Sequence, residues 1–311
     1  MRALLLAFVS VGALLPAQDP ARQLVVGFAQ IGADNPWRAA ETESIRQEAK
    51  ARGIELKFAD GQDKQENQIR ALRTFVVQKV DAILLAPKTG AGWEPVLKEI
   101  KAAGIPVLLV DRGVTVSDPS LYATLVASDF VAEGRMAGEW LAQRLAGKGK
   151  VVELRGTTGS DPAIERKKGF AAALAKHPGI EVVKSQDGDF KRGKAKEVME
   201  AFLKALGKEI AAVYAHNDDM AIGAIQAIEE AGLAPGKDIL VVSIDGMRFA
   251  FEAMRDGKLN ATVECSPLLG PKTFDALAQV LAHKPVPKKV VVEDRLFEQA
   301  QAAAELPRRK Y

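Results

Sequence analysis

The chain has 311 residues, 48% of them hydrophobic and 27% charged, with 43 Lys and Arg against 40 Asp and Glu and a formal net charge of +3. That balance excludes disordered and collagen-like architectures and argues against an electrostatic nucleic-acid binder, which carries a basic surplus or stripe. A single cysteine, Cys265, leaves no internal disulfide, and His177, His216 and His283 are too scattered to form a metal-ligand motif. No metal or cofactor is expected, and the length suggests about two domains.

The chain opens on Met1-Arg2, then an apolar run over residues 3–15, then Pro16-Ala17-Gln18-Asp19. A positive start, a short apolar core and a small residue before a polar stretch predict a secretory signal peptide, 1–17, cleaved near Ala17. The run is too short to span a bilayer comfortably. The mature chain is expected to be soluble and exported.

From residue 23 onward, short apolar runs alternate with amphipathic stretches. Strands are predicted at 24–28, 54–59, 82–85 and 107–110, with helices at 36–52, 65–79 and 93–103. Pro36 sits near the first position of its helix and Gly53 at its stop. A long helix over 130–146 follows, and then the series restarts. Strands are predicted at 151–154, 180–183, 212–214, 240–244 and 261–263, with helices at 162–176, 194–206, 219–231 and 247–256. Such alternation means parallel sheets built from right-handed βαβ units. The fold class is therefore α/β, in two similar lobes, each a parallel sheet flanked by helices, joined by a hinge. The expected lobes are 22–127 plus 267–293 and 128–266 plus 294–311, with crossovers near 127–129, near 265–267 and near Glu293.

In open α/β sheets, ligands bind beyond the carboxyl ends of the strands. Those positions carry Asn35, Trp37 and Arg38; Asp111 and Arg112; Arg155 and, on the next helix, Arg166; His216 and Asn217; Asp245; and Glu264 and Cys265. Planar Asp, Asn and Arg groups pair with adjacent sugar hydroxyls, and an aromatic ring stacks on the apolar face of the sugar. Each position also admits a plainer reading. Asp111, Asn217 and Asp245 suit helix caps or turns, and Asp218-Asp219 suits a helix start. Trp93 and Trp140 lie in helical patterns that suggest packing, and Lys167-Lys168 suggest a solvated face. The segment 156–159 lacks the Lys-Ser/Thr of a phosphate-binding P-loop.

Several stretches, taken in order and spacing, resemble one known family. They are Trp37-Arg38-Ala39-Ala40-Glu41-Thr42, Asp60-Gly61-Gln62, Gly92-Trp93-Glu94-Pro95, Asp111-Arg112, Arg166-Lys167-Lys168-Gly169-Phe170, Tyr214-Ala215-His216-Asn217-Asp218-Asp219-Met220 and Ile244-Asp245-Gly246. The chain resembles the type I periplasmic sugar-binding proteins of ABC importers, the ribose-binding group in the broad sense and its galactofuranose-type members in particular. The resemblance implies a ligand held between lobes by Asn35, Trp37, Arg38, Asp111 and Arg112 from the first and Arg166, Asn217 and Asp245 from the second. The hinge would add Glu264 or Cys265. It further implies a monosaccharide ligand, a membrane permease as partner, a monomer and no catalysis. Arg38 stands where the ribose-binding pattern has a second aromatic, and Cys265 where it has an amide. Both point away from ribose toward a larger or more polar sugar.

Other readings of the same fold remain open at this level. A glycosidase using Asp111 and Asp245 would need carboxylates about 5–9.5 Å apart across the scissile bond. A transcription regulator would need an N-terminal helix-turn-helix where this chain has its apolar leader. A sugar sensor coupled to a receptor or histidine kinase would carry the same pocket.

Overall fold

The computed structural model describes residues 22–33 and 35–311. The expected signal peptide lies outside the described residues. The first part of the chain alternates β1 (Val25–Gln30), α1 (Pro36–Ala51), β2 (Glu55–Asp60), α2 (Gln65–Val77), β3 (Ala82–Leu85), α3 (Glu94–Ala102), β4 (Val107–Val110) and β5 (Thr124–Ser128). The second part runs α4 (Phe130–Arg144), β6 (Lys148–Arg155), α5 (Asp161–Leu174), β7 (Gly179–Asp187), α6 (Arg192–Leu206), β8 (Ile210–Ala215), α7 (Asp218–Glu230), β9 (Leu240–Asp245), α8 (Arg248–Arg255) and β10 (Ala261–Glu264). It closes with α9 (Gly270–Leu281), β11 (Lys289–Val292), β12 (Leu296–Glu298) and the short α10 (Ala302–Glu305).

These strands form two six-stranded sheets, ordered β11-β5-β4-β3-β1-β2 and β12-β10-β9-β8-β6-β7. Every neighbouring pair is parallel except β10 and β12. The chain leaves the first sheet after Ser128, the second after Glu264, and the first again after Val292.

The inner strands are apolar throughout because both their faces are covered by helices. Alternation along each strand sorts its side chains between those faces. In β3, Ile83 and Leu85 pack with Leu72, Phe75 and Ile100 of α2 and α3. Ala82 and Leu84 point the other way, into a cluster with Ile45 of α1 and Phe274 and Leu277 of α9. That second cluster continues through Phe130 and Leu141 of α4 to Val151, Tyr214 and Val242 of the second sheet. The far face of the second sheet, with Leu154 and Val213, packs on Met199, Ile225 and Phe251 of α6, α7 and α8.

Two glycines set how closely α4 and α5 approach. A Cβ on Gly134 would lie 2.0 Å from the carbonyl oxygen of Arg166, and one on Gly169 would lie 2.0 Å from that of Val131. Only a residue without a side chain lets these backbones touch, and their contact brings the side chains of Glu133 and Arg166 together. Among the described residues, no helix is long and apolar enough to cross a membrane.

Candidate functional site

The carboxyl ends of the two sheets face one another across a cavity of about 340 Å³, mouth included. Asn35, Trp37, Arg38, Asp111 and Arg112 line it from the first sheet's side. Pro162, Arg166, Phe190, Asn217 and Asp245 line it from the second, with Cys265 at the crossing between them.

On the first side, Asn35 caps α1 by accepting from the Arg38 amide at 2.8 Å. This turns the next residues inward. The Arg38 guanidinium donates to Glu41 Oε2 at 2.7 Å and to Asp111 Oδ2 at 2.5 Å. Burial works against the charge of Arg38, but Asp111 and Glu41 outweigh it and hold the group firmly protonated. Asp111 lies just past β4 with a φ of 65°, in the left-handed region that a non-glycine residue enters only at a cost. Arg112 donates to the Lys88 carbonyl at 2.9 Å, while its buried Nε has no hydrogen-bond partner. Burial, helped by the neighbouring Arg38 charge, lowers its pKa to about 10. The Trp37 indole N–H donates to the Cys265 carbonyl oxygen at 2.7 Å, which ties α1 to the second crossing. The Arg38 guanidinium lies 4.7 Å from the Trp37 ring centre.

On the second side, Arg166 donates to Glu133 Oε2 at 2.7 Å and to the His216 carbonyl oxygen at 2.5 Å, and its Nη2 lies 3.6 Å from Asp245 Oδ1. Asp245 ends β9 with a φ of 129°, again in left-handed territory. Burial pushes its carboxyl well above the usual range, with the Arg166 charge pulling against that rise. Asn217 caps α7, accepting from the Met220 amide at 3.0 Å, and also faces the cavity. It thus fills both roles that the sequence left open. His216 is fully buried. Its Nδ1 accepts from the Gly156 amide at 3.3 Å and its Nε2 is 3.0 Å from Glu153, so the ring is neutral with the proton on Nε2. Burial lowers its pKa in agreement.

Of the strand-end residues picked out from sequence, Arg155, His216 and Glu264 do not line the cavity, and Glu264 is tied up elsewhere. Its carboxylate accepts from Arg309 at 2.7 Å and from the Tyr311 hydroxyl at 3.2 Å. Trp93 and Trp140 are buried in the packing, and Asp218 starts α7 beneath the site, accepting from Thr262 and from the Met247 amide. Sequence reading passed over Phe190, whose ring lies 5.3 Å from the Arg112 guanidinium and 6.0 Å from that of Arg166. Asp189 and Phe190 are both left-handed, at φ 56° and 57°. Gly156 makes room for the ring, since a Cβ there would lie 1.9 Å from Phe190 Cζ. The signal was available in the rule already applied, because Phe190 follows the carboxyl end of β7. Among the described residues, no group of His, Cys, Asp or Glu could hold a metal ion.

Two lobes of mostly parallel sheet, with a polar, arginine-rich cavity between their carboxyl ends, define a bilobal solute-binding protein rather than a dinucleotide or phosphate site. Residues 26–285 match the model of the periplasmic binding protein domain, and the chain belongs to that family. It is 52% identical to the galactofuranose-binding protein of Escherichia coli (strain K12), over 98% of both chains. It is 34% identical to the ribose import binding protein of Bacillus subtilis (strain 168), over 86% of this chain and 85% of that one. Among solved structures, it matches the periplasmic binding protein of the arabinose ABC transporter from Shewanella sp. ANA-3, bound to α- and β-L-arabinofuranose. There the TM-score is 0.90 at 52% identity, over 92% of this chain and 95% of the other.

Proposed function

We propose that this chain captures a monosaccharide in its furanose form, galactofuranose or a close relative, and delivers it to the permease of an ABC importer. The observation that carries the reading is the cavity between the sheets, where each side contributes an aspartate and an aromatic ring, with two arginines from the first side and one from the second. Charged bidentate groups suit vicinal hydroxyls, and Trp37 and Phe190 suit the apolar face of a sugar ring. The related proteins that bind galactofuranose and arabinofuranose support the furanose form.

In this reading the first lobe is 22–127 plus 267–293 and the second 128–266 plus 294–311. The contacts come from Asn35, Trp37, Arg38, Asp111, Arg112, Arg166, Asn217, Asp245 and Cys265, with Phe190 added. Each lobe holds half the contacts, so the sugar favours the closed form by bridging both. Micromolar binding is about −8 kcal/mol, or roughly −0.7 kcal/mol for each of about 12 heavy atoms in a hexose, within reach of such a pocket. Cleavage near Ala17 would release a periplasmic monomer, and no step of the cycle is catalytic.

A thermal-shift series tests the reading, with pentoses, hexoses, furanose-rich sugars and sugar acids as probes. At about 100 times Kd a ligand adds roughly 2.7 kcal/mol of stability. A rise in Tm with galactose or arabinose and none with ribose is the expected result. A response to sugar acids alone, or to no sugar, would overturn it.

A further inference from the structure

A second cavity, of about 810 Å³ by the same measure, adjoins the first. The two share Asn35, Arg38, Arg112 and Phe190, so they adjoin, with Phe190 lining both. The outer chamber adds Asp63, Thr157, Asp189, Lys191, Arg192 and Asp219.

We propose that the outer chamber is a second sugar subsite, so that the protein accepts a furanosyl disaccharide or glycoside with one ring buried and the next held in the chamber. This rests on reading the inner cavity as a monosaccharide site.

The two sides are already bonded across the cleft. Lys191 reaches Asp63 at 2.8 Å, the Gly113 amide donates to Asp161 at 2.8 Å, and the Gly90 amide donates to the Gly159 carbonyl at 2.9 Å. With the sides held together by these bonds, this space remains between them. Its charges also select a ligand class. Lys191 pairs with Asp63 and Asp189, and Arg192 pairs with Asp219 at 2.9 Å, so the local charge is close to neutral and favours neutral hydroxyls over phosphate or carboxylate. The Thr157 hydroxyl is fixed by donation to Asp189 at 2.7 Å, which leaves its oxygen to accept from a sugar. The Phe190 ring bounds both chambers and offers each an apolar wall.

Calorimetric titration of the purified protein decides the matter. The probes are D-galactose and L-arabinose as single rings, and the β-(1→5)- and β-(1→6)-linked galactofuranosyl disaccharides as double rings. At least one disaccharide should bind within thirty-fold of the better monosaccharide. Thr157→Tyr, which fills the chamber, should weaken the disaccharide ten-fold or more and the monosaccharide less than three-fold. Arg192→Ala, at an exposed helix start, should act in the same selective way at three-fold or more. If the monosaccharide binds and both disaccharides are more than thirty-fold weaker, or if both variants weaken one ring and two rings alike, the subsite is disproved and the monosaccharide site stands. Failure of every probe would overturn the monosaccharide reading and the subsite together.

Discussion

The two halves of the site repeat one arrangement with one difference. β4 and β9 occupy matching places in their sheets, and each is followed or ended by an aspartate with left-handed φ. Each aspartate faces an arginine on the helix after the sheet's β1-like strand, Arg38 on α1 and Arg166 on α5. Each arginine is also anchored by a fully buried glutamate. In the first half that glutamate is Glu41, three residues along the same helix, and the Arg38–Asp111 contact is a direct 2.5 Å bond. In the second half it is Glu133, on α4, and Arg166 stands 3.6 Å from Asp245. Because α4 begins directly after the first crossing, Arg166 is fastened to the connection between the sheets, whereas Arg38 is fastened within its own helix. One half is a self-contained clamp, and the other is a clamp wired to the hinge.

The sharpest way to break that comparison is to remove each arginine. Arg166→Met strands Glu133 and Asp245 without a countercharge and frees the His216 carbonyl. Breaking a buried pair costs about 3–5 kcal/mol, so Tm should fall by on the order of 10 °C in calorimetry. Arg38→Met should cost less, because Glu41 keeps its bond from Gln30 at 2.9 Å. An equal or larger loss for Arg38→Met would remove the distinction. Next in size, Gly156→Ala should drive Phe190 out of its place and weaken sugar binding by at least about ten-fold, or 1.4 kcal/mol, with every polar contact residue unchanged. Unaltered affinity would show that the ring has no part in binding.

Asp111→Ala and Asp245→Ala should each cost about ten-fold or more in affinity, since each leaves buried donors unpaired. The loss should be greater for Asp111, which holds its arginine directly; a greater loss for Asp245 would reverse the assignment of the tighter clamp.

A smaller effect concerns the third crossing. Burial, with Glu133 close by, lifts the Asp294 carboxyl to about 8. A carboxyl raised on folding contributes its stability at acid pH and loses it as pH climbs toward 8. Stability of the native protein should therefore fall between pH 5 and 8 relative to Asp294→Asn, by at least on the order of 1 kcal/mol, read as a pH-dependent drop in Tm. Parallel pH curves would exclude the effect. The smallest change is expected from Lys191→Gln at the cleft edge. An exposed ion pair contributes about 0.2–1 kcal/mol, so affinity should drop less than five-fold and the drop should shrink in high salt. A salt-independent loss would mean the lysine touches the ligand.

Much of this was legible from the chain because central strands and capped helices announce themselves. β3 and β4 are uninterrupted apolar runs and match their predicted bounds, while Pro36 and Gly53 bracket α1. Edge strands are less dependable: β2 falls within one residue of its predicted bounds, but β7 does not. β7 was expected to end at residue 183, yet it continues through Lys184-Ser185-Gln186-Asp187, a polar and largely exposed stretch beside a single neighbour, β6. Its true end is what places Phe190 at the cavity. Of the two glutamate anchors, Glu41 shares a helical face with Arg38. Glu133 meets Arg166 only through the packing of α4 on α5, which no local pattern encodes.

The three passages between sheets bear on how the molecule assembles. β5 pairs with β11, so Leu125 pairs with Lys289 although five strands of the other sheet, β6 to β10, intervene in the chain. The Thr124 hydroxyl donates to the Pro287 carbonyl at 2.7 Å over the same gap in sequence. Neither half can complete its edge until almost the whole chain is present, since β12 finishes the second sheet only after β11 has finished the first. Long-range pairing of this kind is slow, because loop-closure entropy must be overcome before the contacts form. A growing chain would therefore stay open and without its final edges until its last tenth arrives, and loss of the segment beyond Pro287 should leave both sheets with an unpaired margin rather than one half intact.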